Sequence, residues 1–390
     1  MTKPKTLEDV LNEHRGIGPG FHMLRHLLAV VILAHHCRVA VFGITAGGTH
    51  QKGIALTDAA VATLTRGQML VELLRPGLFA LVGMFFALSG FLVVASALRN
   101  SSIKVFFSNR FLRIIPALTV EVALSALVLG PLFTSFSLGQ YFSDSEFYRY
   151  FGNIVGHVAF ELPGVFSQNP WPNMVNANLW TLPAEFWCYF FMLGMMATGV
   201  LLHRKRLTVS ILAAVALAVL LGFYDPAAFS VRHDTTHFTS WYIVMMFFFG
   251  ALFYINSSVV VVSPILFIAS AIGYYVLTLM NQLGALSGLL LTYCTVYVGV
   301  QSFPLFNKFL KKDLSYGIYL YGFPITQAVI DLSLPYTTGL SRVLYFMLIF
   351  LIVLVLTGLF SALSWEYIEK PALSLRKHVL RDPRPKVSGT

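Results

Sequence analysis

Charge is what this sequence has least of. Only 11% of its 390 residues are Asp, Glu, Lys or Arg, against 57% hydrophobic, where a soluble domain carries about 25% charged residues. So low a charge content argues against a water-soluble globular protein and makes lipid the expected solvent. Cysteine is scarce too. Cys37, Cys188 and Cys294 stand singly in apolar segments without CxxC spacing, which argues against a disulfide framework or a zinc site and leaves them as packing residues. No polar Gly/Ser-rich linker divides the chain, so one membrane domain is expected over 24–364, between an N-terminal tail, 1–23, and a basic C-terminal tail, 365–390. No small-residue cleavage site follows the first apolar run, and a cleaved signal peptide is not expected.

A helix crosses a bilayer core with about 20 apolar residues. Runs near that length lie at Leu24 to Phe42, Gly77 to Leu98, Ile114 to Phe133, Ala184 to Leu201 and Leu207 to Phe223. Further runs follow at Ser240 to Ile255, Val259 to Met280, Leu283 to Val300, Tyr316 to Leu332 and Val343 to Leu363. The expected fold is therefore all-α, a polytopic membrane bundle of about ten transmembrane helices. A formal charge of +10 raises nucleic acid as a partner, but the basic residues cluster in short loops and the C-terminal tail. That is the pattern of topology signals and lipid headgroup contacts, so membrane lipids are the expected partner and nucleic acid is not. With both termini inside, only Arg38, Lys52, Arg66, Arg75, Arg149, Arg232 and Arg342 fall on outer segments. The asymmetry supports an N-in, C-in orientation. The longest loop, 134–183, contains LPGVFSQNPWPNMVNANLW, too rich in Pro and Asn to span as a helix, and is expected on the outer face as a lid or binding surface.

Ionisable residues inside spans usually face a cavity or a partner. The first span, HMLRHLLAVVILAHHCRV, carries Arg25, His35 and His36. Eleven residues of helix rise about 16 Å, which sets His36 beyond the midplane if Arg25 lies at the inner edge. A neutral imidazole there can take a proton from a hydroxyl, and it can equally be a polar group bonded between helices. Arg110 and Arg113, three residues apart, share a helix face at the inner edge. Two guanidinium forks suit the phosphates of a nucleotide-bearing donor, although the positive-inside bias alone also yields such pairs. Glu185, among Trp180, Phe186 and Trp187 at the outer start of the fourth span, needs a cationic or hydrogen-bonding partner. A His36–Glu185 dyad answers that need, and an interfacial aromatic belt is the plainer reading. Glu121, inside the third span, is read as the structural partner of an arginine. Tyr316 and Tyr319 share a face at the inner edge of the ninth span, and Glu366 and Glu369 are expected to pair with inner basic residues.

In chain order, Arg25 with ten residues before His36, FFALSGFLV, NRFLRIIPAL, NANLWTLPAEF, LSYGIYLYGFP and YIEKPA together resemble the acyltransferase 3 family of membrane O-acyltransferases. The resemblance runs from Arg25 to Pro371. It implies an acyl-transferring enzyme of a bacterial cytoplasmic (inner) membrane, with acyl-CoA, by default acetyl-CoA, as co-substrate and no permanently bound cofactor or metal. The acceptor implied is a carbohydrate or glycolipid hydroxyl. It also implies His36 and Glu185 as catalytic residues, with Arg25, Arg110, Arg113, Ser89, Tyr316 and Tyr319 toward the donor and Trp180, Asn178 and His35 toward the acceptor. One departure stands out: many members carry a His where this chain has Gly322. The rival reading from another class is a proton-coupled carrier of a glycan or glycolipid, since intramembrane Arg, His and Glu suit that as well.

Overall fold

Helices stand on all ten apolar runs, because a backbone in lipid must satisfy its own N–H and C=O groups. The computed structural model describes residues 4–14, 16–42, 66–99, 102–224, 240–280, 284–309, 312–336 and 339–379. Among these it is about 81% helical with no strands. In order the helices are α1 (Leu7–Glu13), α2 (Phe21–Phe42), α3 (Arg66–Arg99), α4 (Ile103–Leu124, continued by a π-helical turn to Phe133), α5 (Leu138–Ser143), α6 (Ser145–Tyr150) and α7 (Leu182–Ala197). They continue as α8 (Arg204–Tyr224), α9 (Ser240–Ile255), α10 (Pro264–Leu279), α11 (Ala285–Gly299), α12 (Pro304–Phe309), α13 (Ser315–Ser333), α14 (Arg342–Ser364) and α15 (Lys370–Val379). Among the described residues, Phe21–Phe42, Leu73–Arg99, Ile103–Phe133, Arg204–Tyr224 and Arg342–Arg376 are long and apolar enough to cross a membrane, while α9, α10 and α11 are shorter apolar helices.

Burial sorts these helices. Every residue of α9 from Tyr242 to Leu252 is buried, the mark of a helix enclosed on all sides. On α14, Val343, Met347, Leu351, Val355 and Leu359 are exposed, and their spacing of four makes one apolar stripe that faces lipid. α9 packs against α3 through reciprocal glycines. A Cβ on Gly90 would stand 1.8 Å from the Phe247 carbonyl oxygen, and one on Gly250 would stand 1.9 Å from that of Ala87. In membranes, where apolar surface gains nothing by leaving lipid, such small-residue contacts supply the close packing.

Three boundaries differ from the hydropathy reading. α4 begins at Ile103, so Arg110 and Arg113 lie two turns inside a helix instead of ahead of it. The N-terminal tail is structured: α1 buries Leu7, Val10 and Leu11, and its entry pairs with the strand-like residues before α10, the Leu7 N–H bonding the Val260 carbonyl at 2.8 Å and the Val262 N–H that of Lys5 at 2.9 Å. Lys52 and Arg232, expected on outer segments, lie outside the described residues.

The largest difference is the 134–183 loop. Its first part forms α5 and α6, but from Asn169 onward it lies along α13. The Asn169 amide donates to the Gln327 carbonyl (3.0 Å) and side-chain oxygen (3.1 Å), Gln327 donates to the Trp171 and Met174 carbonyls (2.8 and 2.7 Å), and Asn178 donates to the Tyr319 carbonyl. Asn176 donates to the Leu320 carbonyl at 3.0 Å. That carbonyl would otherwise bond the N–H of residue 324, which is proline and has none. The loop thus re-enters the bundle at a point where α13 offers a free acceptor.

Alanine at Gly90 must push α3 and α9 apart, and overpacking of this kind costs about 1–3 kcal/mol. Thermal unfolding in detergent should therefore show a clear loss for Gly90→Ala and none for Gly77→Ala, where nothing lies within 4 Å of an added Cβ.

Candidate active site

At about 100° per residue, His36 stands roughly 20° around α2 from Arg25, whereas His35 stands roughly 80° away. Arg25, Ile32 and His36 therefore form one stripe along the helix. The lower part of this stripe, Arg25 and Ile32, lines a cavity of about 410 Å³ walled also by α3, α4, α7 and α13.

One carboxylate organises its floor. Asp313 Oδ2 lies 2.9 Å from Arg25 Nη1 and 2.7 Å from Arg113 Nη2, while Oδ1 accepts the Ser315 hydroxyl at 2.6 Å. Burial works against ionisation of Asp313, but Arg25 and Arg113 outweigh it and hold the carboxyl well below the usual carboxylate range. Arg113 Nη1 is also 4.0 Å from Glu369, and its guanidinium lies over the Tyr316 ring. Both charges of Arg25 and Arg113 are thereby committed within the protein. Arg110 differs: among the described residues it makes no ion pair, its guanidinium sits 5.8 Å from the Phe106 ring centre and 5.9 Å from that of Tyr189, and its buried Nε has no partner.

The six residues expected on the donor side, Arg25, Ser89, Arg110, Arg113, Tyr316 and Tyr319, all line this one cavity. Asn178, expected toward the acceptor, and Glu185, expected as catalytic, line it too. Their depth follows from the re-entrant loop. Because the chain descends α13 as far as Tyr319 before α7 begins, Glu185 starts its helix deep in the bundle and not at the outer edge. Its Oε1 accepts the Tyr189 hydroxyl at 2.6 Å, and Tyr189 is the ring beneath Arg110. Tyr319 donates to the Asn178 carbonyl at 3.1 Å and shares a 2.9 Å bond with Thr181.

His36 is not among the lining residues, and no hydrogen bond joins it to Glu185, so the structure does not bring that expected pair together. The His36 ring lies one turn beyond Ile32, its Nδ1 buried without a partner, edge-on to Phe323 at 5.4 Å; Phe323 in turn meets Trp171 of the loop at 5.3 Å. His35 lies 5.8 Å from His36, ring to ring. Trp180 packs against the core around Phe86 and Phe247. At Gly322 the space for a side chain is taken by Leu33, whose Cδ1 would stand 2.6 Å from an added Cβ.

Glu121, expected to pair with an arginine, is held otherwise. Its partners are the Ser125 hydroxyl (2.9 Å) and the Asn176 amide (2.9 Å), with no arginine in contact among the described residues, because Asn176 reaches it from the loop. Glu366 does pair with Lys312 and Lys370. Sequence reasoning missed Asp313, although it is the sole acid in the basic loop 301–315. His22, His26 and Asp313 cluster with ligand atoms within 4.8 Å. His26 Nε2, however, already accepts the Leu314 N–H at 3.1 Å and Nδ1 bonds the His22 carbonyl, so the group is a hydrogen-bonded strut.

The order of these residues along the chain is that of a known family: the acyltransferase domain profile matches residues 19–362. The chain belongs to the acyltransferase 3 family. It is similar to an O-acetyl transferase of Shigella phage Sf6, 29% identical over 74% of this chain and 83% of that protein. It is also similar to Nodulation protein 10 of Rhizobium leguminosarum bv. viciae, 27% identical over 76% and 82%. No solved structure matches. The family makes the chain an acyl-transferring enzyme, which overturns the carrier reading.

Because Asp313 balances Arg25 and shares Arg113 with Glu369, Asp313→Asn should cost about 2–4 kcal/mol of stability, while Arg110→Gln, which breaks no ion pair among the described residues, should stay within about 1 kcal/mol. The depressed carboxyl fixes the sign with pH. Its contribution is complete above about pH 4 and is lost as pH falls through the lower folded-state value. Unfolding midpoints measured against pH should therefore fall below pH 4 in the wild type and stay flatter in Asp313→Asn.

Proposed function

We propose that this membrane acyltransferase moves an acyl group, acetyl by default, from a cytoplasmic acyl-CoA to a hydroxyl of a carbohydrate or glycolipid presented at the opposite face. The observation that carries the reading is the cavity. Five arginines against two carboxylates line it, and the α2 stripe leads from it to the His36 imidazole, whose Nδ1 has no partner among the described residues. A net positive cavity suits a polyanionic donor. Asn109 and Asn178 each line it with a side-chain oxygen that has no partner, which suits the amide N–H groups of a pantetheine arm.

In this reading Arg110 meets donor phosphate, and Glu185 holds the Tyr189 ring beneath it. Asp313 keeps Arg25 and Arg113 in place. The thioester lies beyond Ile32. His36 takes the proton of the acceptor hydroxyl as its oxygen attacks the acyl carbon; the C–S bond then breaks, and the proton passes to the departing thiolate. Trp171 and Phe323 beside His36 offer aromatic faces that suit the apolar side of a sugar ring. The bacterial inner membrane, where acyl-CoA is confined to one face, is the setting that the reading requires.

Mass spectrometry of surface glycans and glycolipids tests this directly. Cells with wild-type protein should carry an acyl-sized mass on one glycan. His36→Ala should reduce it by at least about a hundredfold, the usual contribution of a general base, and His35→Ala should largely preserve it. Identical glycan masses with and without the gene would remove the surface-glycan acceptor.

A further inference from the structure

The matched family segment ends at residue 362, yet the wall of the cavity does not. α15, in the segment expected to be merely a basic tail, contributes Leu373 and Arg376. The helix is fixed in place from several sides. Glu369 lies near Arg113, Ala372 is buried, and Glu366 is held between Lys312 and Lys370. Arg99 at the end of α3 lines the same cavity. Both arginines are exposed, and among the described residues neither makes an ion pair or hydrogen bond. They stand at the mouth. On α3, Ser89 and Arg99 both line the cavity, and ten residues of helix rise about 15 Å, a depth comparable to an extended pantetheine arm. Positive charge is therefore neutralised at the depth of Asp313 and left open at the entrance.

Resting on the donor reading above, we propose that Arg99 and Arg376 form the docking site for a terminal phosphate monoester of the donor, with α15 as a specificity element outside the family's matched core. Two exposed guanidinium forks on the wall of one cavity, neither committed to a partner among the described residues, suit a dianionic phosphate. In acyl-CoA that group is the 3′-phosphate of the nucleotide.

The test compares equilibrium binding of CoA and 3′-dephospho-CoA to full-length protein in phospholipid-free detergent. Wild type should bind CoA more tightly by about tenfold or more, the loss of one charge-assisted hydrogen bond being worth that factor. Arg376→Gln and Arg99→Gln should each bring the two ligands close together. Lys104→Gln, which removes an exposed charge of α4 outside the cavity, should keep the preference. A preference that survives in Arg376→Gln overturns the proposal and leaves that arginine to a lipid headgroup phosphate. Equal binding of both ligands by wild type also overturns it, with the donor reading intact. Failure of wild type to bind either ligand overturns the donor reading itself.

Discussion

The re-entry of the 169–181 segment depends on amide side chains saturating backbone carbonyls inside the bundle. A non-helical chain at membrane depth is tolerated only where each polar group finds a partner. Here Asn169, Asn176, Asn178 and Gln327 supply the partners between loop and α13, and Pro324 leaves the Leu320 carbonyl free to receive one of them. Asn176 also satisfies Glu121, so a single amide ties loop, α4 and α13. The depth of Glu185, and with it the seat of Tyr189 under Arg110, follows from this descent.

Against that wall stands a charge arrangement that separates structure from binding. Asp313 commits Arg25 and Arg113 to the protein, joining α2, α4 and the start of α13 at the cavity floor. Arg110 stays uncommitted. A pocket in which every arginine was paired would have little field left for an anion, and one in which none was paired would strain under like charge. The division between held and open guanidiniums lets the fold be stable and the cavity remain positive.

Much of this was legible in the residues. Apolar runs located the helices because lipid imposes a length and a composition on any span, and the eleven-residue step from Arg25 to His36 set the rise that separates them along α2. The residues expected toward the donor line one cavity, with Arg110 and Arg113 on one face of α4 and Tyr316 and Tyr319 on one face of α13. What escaped was the loop. Asn and Pro in SQNPWPNMVNANLW read as an outer surface, since nothing local shows that their amides answer carbonyls on a helix more than 140 residues away. Glu185 was misplaced in depth for the same reason. Asp313 was hidden by its basic neighbours, and α15 by a composition that reads as a solvated tail. The pairing of His36 with Glu185 rested on both lying in one half of the membrane, a premise that the descent of the loop removes.

The most direct measurement uses sealed vesicles that carry the protein in a known orientation together with the cells' own glycolipids as acceptor, with acyl-labelled CoA added only outside, and follows release of CoA thiol. Vesicles that present the face of Arg99, Arg110 and Arg376 should release thiol and transfer label, and vesicles that present the opposite face should not. Equal release from both, or release only from the opposite face, would contradict a donor that enters through the arginine-lined mouth.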